Sequence, residues 1–151
     1  MRAGLDTPVG PFWIETEDGA VTQAGWGRVE AGTGSDPVAA QALDELIEYF
    51  EGGRTGFSVP LRSKLTGLNA RAQEAMLAIP FGETRTYGDL AKLLDAPAQA
   101  IGQACGANTI PILIPCHRVL GSNGLGGYSG RGGIETKVAL LKLEGAASLL
   151  I

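Results

Sequence analysis

The chain has 151 residues, 44% of them hydrophobic, and its 12 Lys and Arg against 16 Asp and Glu leave a net charge of −4. That supports one ordinary domain or two small ones with a real core, and it excludes a polybasic binder whose affinity comes mainly from neutralising phosphates. The longest apolar runs fall short of the about 18 residues a membrane-spanning helix needs, and one histidine with two cysteines cannot build a structural zinc cluster.

Residues 8–14 read as a strand, Glu17-Asp18-Gly19 as a turn, and residues 20–26 as the hairpin partner. Asp36 before Pro37 is placed to cap a helix on which Leu43, Leu46, Ile47 and Phe50 recur at helical spacing, and Gly52-Gly53 stop it. Residues 57–60 form a short extended piece, and residues 61–66 mark a boundary. Leu68, Ala72, Ala75, Met76 and Ile79 predict a second helix, ended by Pro80-Phe81-Gly82. Thr86 with Asp89 forms a capping box, Asp replacing the usual Glu, and opens a helix to residue 94. Another helix begins at Ala96-Pro97 and runs to Gly106, so the turn around Asp95 makes the pair a helix-turn-helix. Residues 135–144 predict a final helix with Val138 and Leu141 facing inward. The fold class is α+β: a small N-terminal antiparallel-sheet-plus-helix domain over residues 1–63, followed by a mainly helical domain over residues 64–151.

Chemistry concentrates at Pro115-Cys116-His117-Arg118-Val119, which holds the only histidine and one of two cysteines. A cysteine and a histidine behind the apolar run Ile112-Leu113-Ile114, ahead of a glycine-rich loop, suit a thiolate nucleophile with a base beside it. If this stretch continues as a strand, adjacent side chains point to opposite faces, so cooperation needs a bend or a bridging water. The competing reading is a small buried hydrophobe beside a hydrogen-bonded histidine. Cys105, the other cysteine, reads as a buried small residue bordering the same region. The opening residues carry no apolar signal region, and both cysteines are expected as reduced thiols of a cytoplasmic protein.

The wider pattern resembles the O6-alkylguanine-DNA alkyltransferase family. The resemblance runs through Ile112-Leu113-Ile114-Pro115-Cys116-His117-Arg118-Val119, Gly127-Tyr128-Ser129-Gly130, Lys137, Leu140-Leu141 and Glu144-Gly145. Upstream it includes Ile79-Pro80-Phe81-Gly82-Glu83-Thr84 and Thr86-Tyr87-Gly88-Asp89-Leu90-Ala91. It implies a ribonuclease-H-like N-terminal packing domain and a DNA-binding domain that carries the active site. The implied activity is DNA repair by base flipping and a single, stoichiometric, irreversible transfer of an alkyl group from O6-alkylguanine to Cys116. By the same resemblance His117 is the base, Glu144 orients it, Asn108 braces the bend that aims Cys116, and Tyr87 donates a proton to the departing base.

Arg118, Val119, Tyr128 and Ser129 are assigned to substrate binding, with Tyr128 stacking on the guanine. The resemblance implies that the small-residue helix bearing Ala98, Ala100 and Gly102 is presented to the minor groove of double-stranded DNA. One departure stands out: the family usually has an arginine near the start of that helix, filling the gap left by the flipped base, and Gln99 stands there. No cofactor, metal or membrane partner is implied, and a monomer is expected. Two rivals remain open: a non-catalytic sensor that binds alkylguanine DNA, and a Cys-His hydrolase of small esters or peptides.

Overall fold

The computed structural model describes residues 1–30, 35–121 and 133–146. Two compact units emerge, Met1–Lys64 and Leu65–Ile151.

The first unit is a three-stranded antiparallel sheet, β1 (Arg2–Thr7), β2 (Gly10–Glu17) and β3 (Ala20–Trp26), in the order β1-β2-β3. The hairpin between β2 and β3 closes on Asp18 and Gly19, both at positive φ (47° and 80°), the backbone that suits the right-handed twist of two-residue turns. The strand expected from residue 8 begins instead at Gly10, and Pro8 and Val9 form the turn joining β1 to β2. There the Thr7 hydroxyl donates to Gly10 O at 2.6 Å and accepts from Val9 N at 3.1 Å. Phe12, Ile14 and Thr16 point inward from β2 at a period of two. Helix α1 (Pro37–Phe50) packs on this sheet. Asp36 caps it by accepting from Val38 N at 2.9 Å, and its second oxygen accepts from the Thr16 hydroxyl. The buried face of α1 is Ala39, Ala42, Glu45, Leu46 and Tyr49, with Ile47 exposed, so the stripe is rotated from the one sequence spacing suggested. The buried Glu45 carboxylate explains the rotation: it accepts from Ser58 N (2.8 Å), Val59 N (3.1 Å) and Gln41 Nε2 (2.8 Å), fastening the chain that follows the helix.

The second unit is mainly helical. It comprises α2 (Gly67–Leu77), β4 (Arg85–Thr86), α3 (Tyr87–Leu94), α4 (Ala98–Gly106), one 3₁₀ turn (Cys116–Arg118), β5 (Val119–Leu120) and α5 (Ile134–Leu143). β4 and β5 pair in parallel, Arg85 opposite Val119 and Thr86 opposite Leu120. The capping box forms as read: Asp89 N donates to Thr86 Oγ1 at 3.0 Å, and Thr86 N donates to Asp89 Oδ2 at 2.9 Å. Helix α3 stops where Asp95 turns left-handed at φ 53°, and α4 follows to complete the helix-turn-helix. The core gathers Ala72, Met76, Ile79, Leu90, Ile101, Ala104, Ile110, Val119, Leu140 and Leu141. Among the described residues no helix is long and apolar enough to cross a membrane.

Candidate active site

Ile112-Leu113-Ile114 is buried but is not a strand. The chain folds back on itself: Ile114 N donates to Ile110 O at 2.9 Å and Leu113 N to Pro111 O at 2.9 Å. Ile112 sits at φ 70°, a costly left-handed conformation for a β-branched residue. Asn108 itself is not at positive φ. It contributes its side-chain amide, which donates from Nδ2 to Ile114 O at 3.0 Å and accepts at Oδ1 from Ile110 N at 3.2 Å. Cys116 N donates to the same Ile114 carbonyl at 2.8 Å. The asparagine thus clamps the bend directly before the cysteine.

Beyond that bend, Cys116, His117 and Arg118 form a single 3₁₀ turn. Successive side chains on such a turn diverge by about 120°, not the half-turn of a strand, so a bridging water suits Cys116 and His117 better than a direct contact. Cys116 is 7% exposed and His117 fully buried. His117 Nε2 lies 2.7 Å from Glu144 Oε2, and Nδ1 is buried without a hydrogen-bond partner among the described residues. A proton on Nε2 shared with the carboxylate leaves Nδ1 as the basic nitrogen. Burial holds the imidazole below its usual 6.5, helped by the nearby Arg118 and Lys137 charges and opposed by Glu144. His117 is therefore neutral at pH 7 and able to accept a proton.

Glu144 is the residue that caps α5, and it serves two partners. Arg118 donates to it from Nε (2.8 Å to Oε1) and from the second guanidinium arm (3.0 Å to Oε2), and its remaining arm donates to Ile79 O at 2.7 Å. This corrects the expectation that Arg118 belongs to the binding surface. It is 7% exposed, and its guanidinium is committed to Glu144 and to the end of α2's following segment. Val119 is wholly buried in β5.

Tyr87, the first residue of α3, is half-buried and close enough to feel both cysteines. Burial raises its hydroxyl above the usual range, reinforced by the Cys105 and Cys116 charges, so it remains a proton donor at neutral pH. Two residues of this neighbourhood were given no role from the sequence: Lys137, named there only as part of the resemblance, and Gln73. Lys137 has no exposed surface. Its ammonium donates to Val119 O at 2.6 Å and lies 5.8 Å from the Tyr87 ring centroid. Burial pushes Lys137 down to about 8 against the pull of the Cys116 and Cys105 thiolates. Cys105, also buried, is pushed up to about 11, first by burial and then by Cys116. Neither cysteine is in a disulfide. The other of the two, Gln73, donates to Asn108 Oδ1 at 3.1 Å.

On α4, Ala98 and Gln99 are exposed and Ala100 and Gly102 half-exposed, while Ile101, Ala104 and Cys105 face the core. Tyr128, Ser129 and most of the glycine-rich stretch lie outside the described residues. Among the described residues no group of three or more His, Cys, Asp or Glu is placed to hold a metal ion.

Comparison with known proteins shows the family. Residues 68–146 match the family model described as 6-O-methylguanine DNA methyltransferase, DNA binding domain, and residues 2–63 match the ribonuclease-like domain of the same proteins. The chain belongs to the 6-O-methylguanine DNA methyltransferase family. It is 40% identical over 149 residues to the methylated-DNA–protein-cysteine methyltransferase of Mycobacterium bovis, covering 93% of this chain and 89% of that protein. It is 37% identical to the constitutive enzyme of that name from Bacillus subtilis, covering 92% of each. Among solved structures, Mycobacterium tuberculosis OGT in complex with DNA superposes with a TM-score of 0.83 at 39% identity, over 95% of this chain and 92% of that one.

Proposed function

We propose that this family member repairs DNA by moving the alkyl group of an O6-alkylguanine onto Cys116. The carbon–oxygen bond to guanine breaks as a carbon–sulfur bond forms, in one displacement. His117 Nδ1 takes the thiol proton, through water, while Glu144 stabilises the imidazolium that results. Tyr87 supplies a proton to the departing guanine, and the Lys137 ammonium beside it favours negative charge on sulfur and phenol alike. A thioether has no easy return to thiol, so each molecule acts once. Two thiols outside any disulfide fit a reducing cytoplasm.

The partner is double-stranded DNA carrying the lesion, with the damaged base extruded into the protein. The exposed face of α4, with Ala98, Gln99, Ala100 and Gly102, is the surface we assign to the minor groove. Small side chains let the helix press close to the groove wall, and Gln99 occupies the space the base vacates. Tyr128 and Ser129 are assigned to the base itself.

The observation that carries this reading is the buried His117–Glu144 contact of 2.7 Å, which leaves Nδ1 as an open basic nitrogen next to Cys116 in the chain. An inert buried cysteine has no need of such a relay. Incubation with O6-benzylguanine followed by intact mass and peptide mapping tests it. One benzyl group per chain, on Cys116 and absent from Cys116→Ser, is the expected result. No adduct with tight binding to alkylguanine DNA would instead make the protein a sensor, and repeated turnover of an ester would make it a hydrolase.

A further inference from the structure

Gln73 lies on the inward face of α2, 3% exposed, at a position where an apolar side chain would bury more favourably. Among the described residues it is only half satisfied: Nε2 donates to Asn108 Oδ1 at 3.1 Å, while Oε1 is buried with no hydrogen-bond partner. A buried amide carbonyl left unpaired costs stability, so packing alone does not account for this residue.

The surrounding backbone fixes which way each amide must point. Asn108 Oδ1 faces the Ile110 N–H at 3.2 Å, and Nδ2 faces the Ile114 carbonyl at 3.0 Å. Neither backbone group can exchange donor for acceptor, so Oδ1 is the atom Asn108 offers to α2. A glutamine there has to donate. The Ile114 carbonyl in turn accepts from Cys116 N at 2.8 Å. One line of hydrogen bonds therefore joins Gln73, Asn108, the Ile114 carbonyl and the cysteine backbone.

We infer that Gln73 is a positioning residue for alkyl transfer: it anchors the Asn108 amide to α2, and through it holds the bend that aims the Cys116 sulfur. The inference rests on the alkyl-transfer reading above. Gln73 acts through the bend and not on the substrate, so it sets how often the sulfur is aligned for displacement, not how tightly the base is held.

The test is Gln73→Met, similar in length but unable to donate, with Gln73→Leu as the second variant should the first not fold. The time course of O6-benzylguanine adduct formation gives a limiting rate and a half-saturating concentration, and thermal unfolding gives a midpoint. The expected result is a limiting rate about fivefold lower, the factor corresponding to one neutral hydrogen bond. The half-saturating concentration stays within about twofold of the parent value, and the midpoint is held or raised because the unpaired carbonyl is gone. A limiting rate equal to the parent's, or a change in half-saturation alone, overturns the role of Gln73 while leaving the alkyl-transfer reading intact. A parent protein that forms no adduct on Cys116 overturns that reading, and this inference with it.

Discussion

Glu144 does two jobs with one carboxylate, since it orients His117 through Oε2 and neutralises Arg118 through both oxygens. All three side chains are nearly or wholly buried. Removing the charge strands a buried guanidinium, and breaking a buried pair from one side costs about 3–5 kcal/mol. Glu144→Gln should therefore lose that order of stability in urea unfolding, and slow adduct formation on Cys116 at the same time. Near-parent stability would mean that Arg118 finds another counter-charge. His117 carries a separate consequence for pH. Its folded value is lowered, by burial first, so on acidification through about 6.5 the unfolded chain takes up a proton that the folded chain refuses. Its stabilising contribution is thus present above that value and is lost as pH falls towards the folded value. It is the only histidine in the sequence; the carboxylates Glu17, Asp36, Glu45 and Asp89, all lowered in the fold, act at more acidic pH, and Lys137, lowered to about 8, contributes a fall of the same sign centred above this window. The urea midpoint should fall between about pH 7.5 and 6, and His117→Gln should flatten that slope whatever it does to the absolute midpoint. An equal slope in the variant would place the titration elsewhere.

The elements that sequence patterning reads well are those fixed by short-range chemistry. The Asp18-Gly19 turn, the Asp36 cap and the Thr86–Asp89 box each need only a few neighbouring residues, and each forms. β1 escapes because Arg2–Thr7 is an edge strand whose side chains alternate between exposed and half-buried, with little apolar signal to betray it. The apolar run at residues 112–114 misleads for the opposite reason: burial without periodicity fits a strand and a buried loop equally well, and only the Asn108 clamp decides. At the site, Cys116, His117, Glu144 and Asn108 are legible as a motif. Lys137 belongs to the pattern but its role does not show there, and Gln73 stands outside it, because their burial is created by segments far along the chain. Thr86→Ala offers a test at this scale. It deletes the oxygen that accepts from Asp89 N while leaving the return bond from Thr86 N available. The expected loss is about 1 kcal/mol, a fall of about 4–8 °C in the midpoint of a domain of this size. Thr86→Ser restores most of it. Tyr87 is the next residue, so adduct formation slows with the alanine variant and recovers with serine.

Charge is distributed unevenly over the whole molecule. Residues 1–64 carry five Lys and Arg against ten Asp and Glu, whereas residues 65–151 carry seven against six. The unit that matches the DNA-binding family model is therefore close to neutral, and two of its cations are unavailable to phosphate: Arg118 is bound to Glu144, and Lys137 is buried with its ammonium on Val119 O. Phosphate contacts supply most sequence-independent affinity, each neutralised phosphate adding about 0.9 to the salt slope. Weak binding with a shallow salt dependence is the expected outcome for this chain. Gln99, exposed on α4, is where that balance can be shifted by a single residue. A neutral amide in the gap left by an extruded base can hydrogen-bond the orphaned cytosine but gains no charge-assisted bond. An arginine adds one, since a hydrogen bond with one charged member is worth about 1.5–3 kcal/mol. Gln99→Arg should therefore tighten binding to a duplex containing O6-methylguanine by about tenfold or more at fixed salt. The rate of transfer at saturating DNA should not change, because the residue lies on the exposed face of α4, away from the buried Ile101, Ala104 and Cys105. Fluorescence anisotropy over a salt series, alongside single-turnover transfer, separates the two quantities. Unchanged affinity would mean that position 99 does not enter the duplex, and the assignment of α4's exposed face to the groove would have to be redrawn.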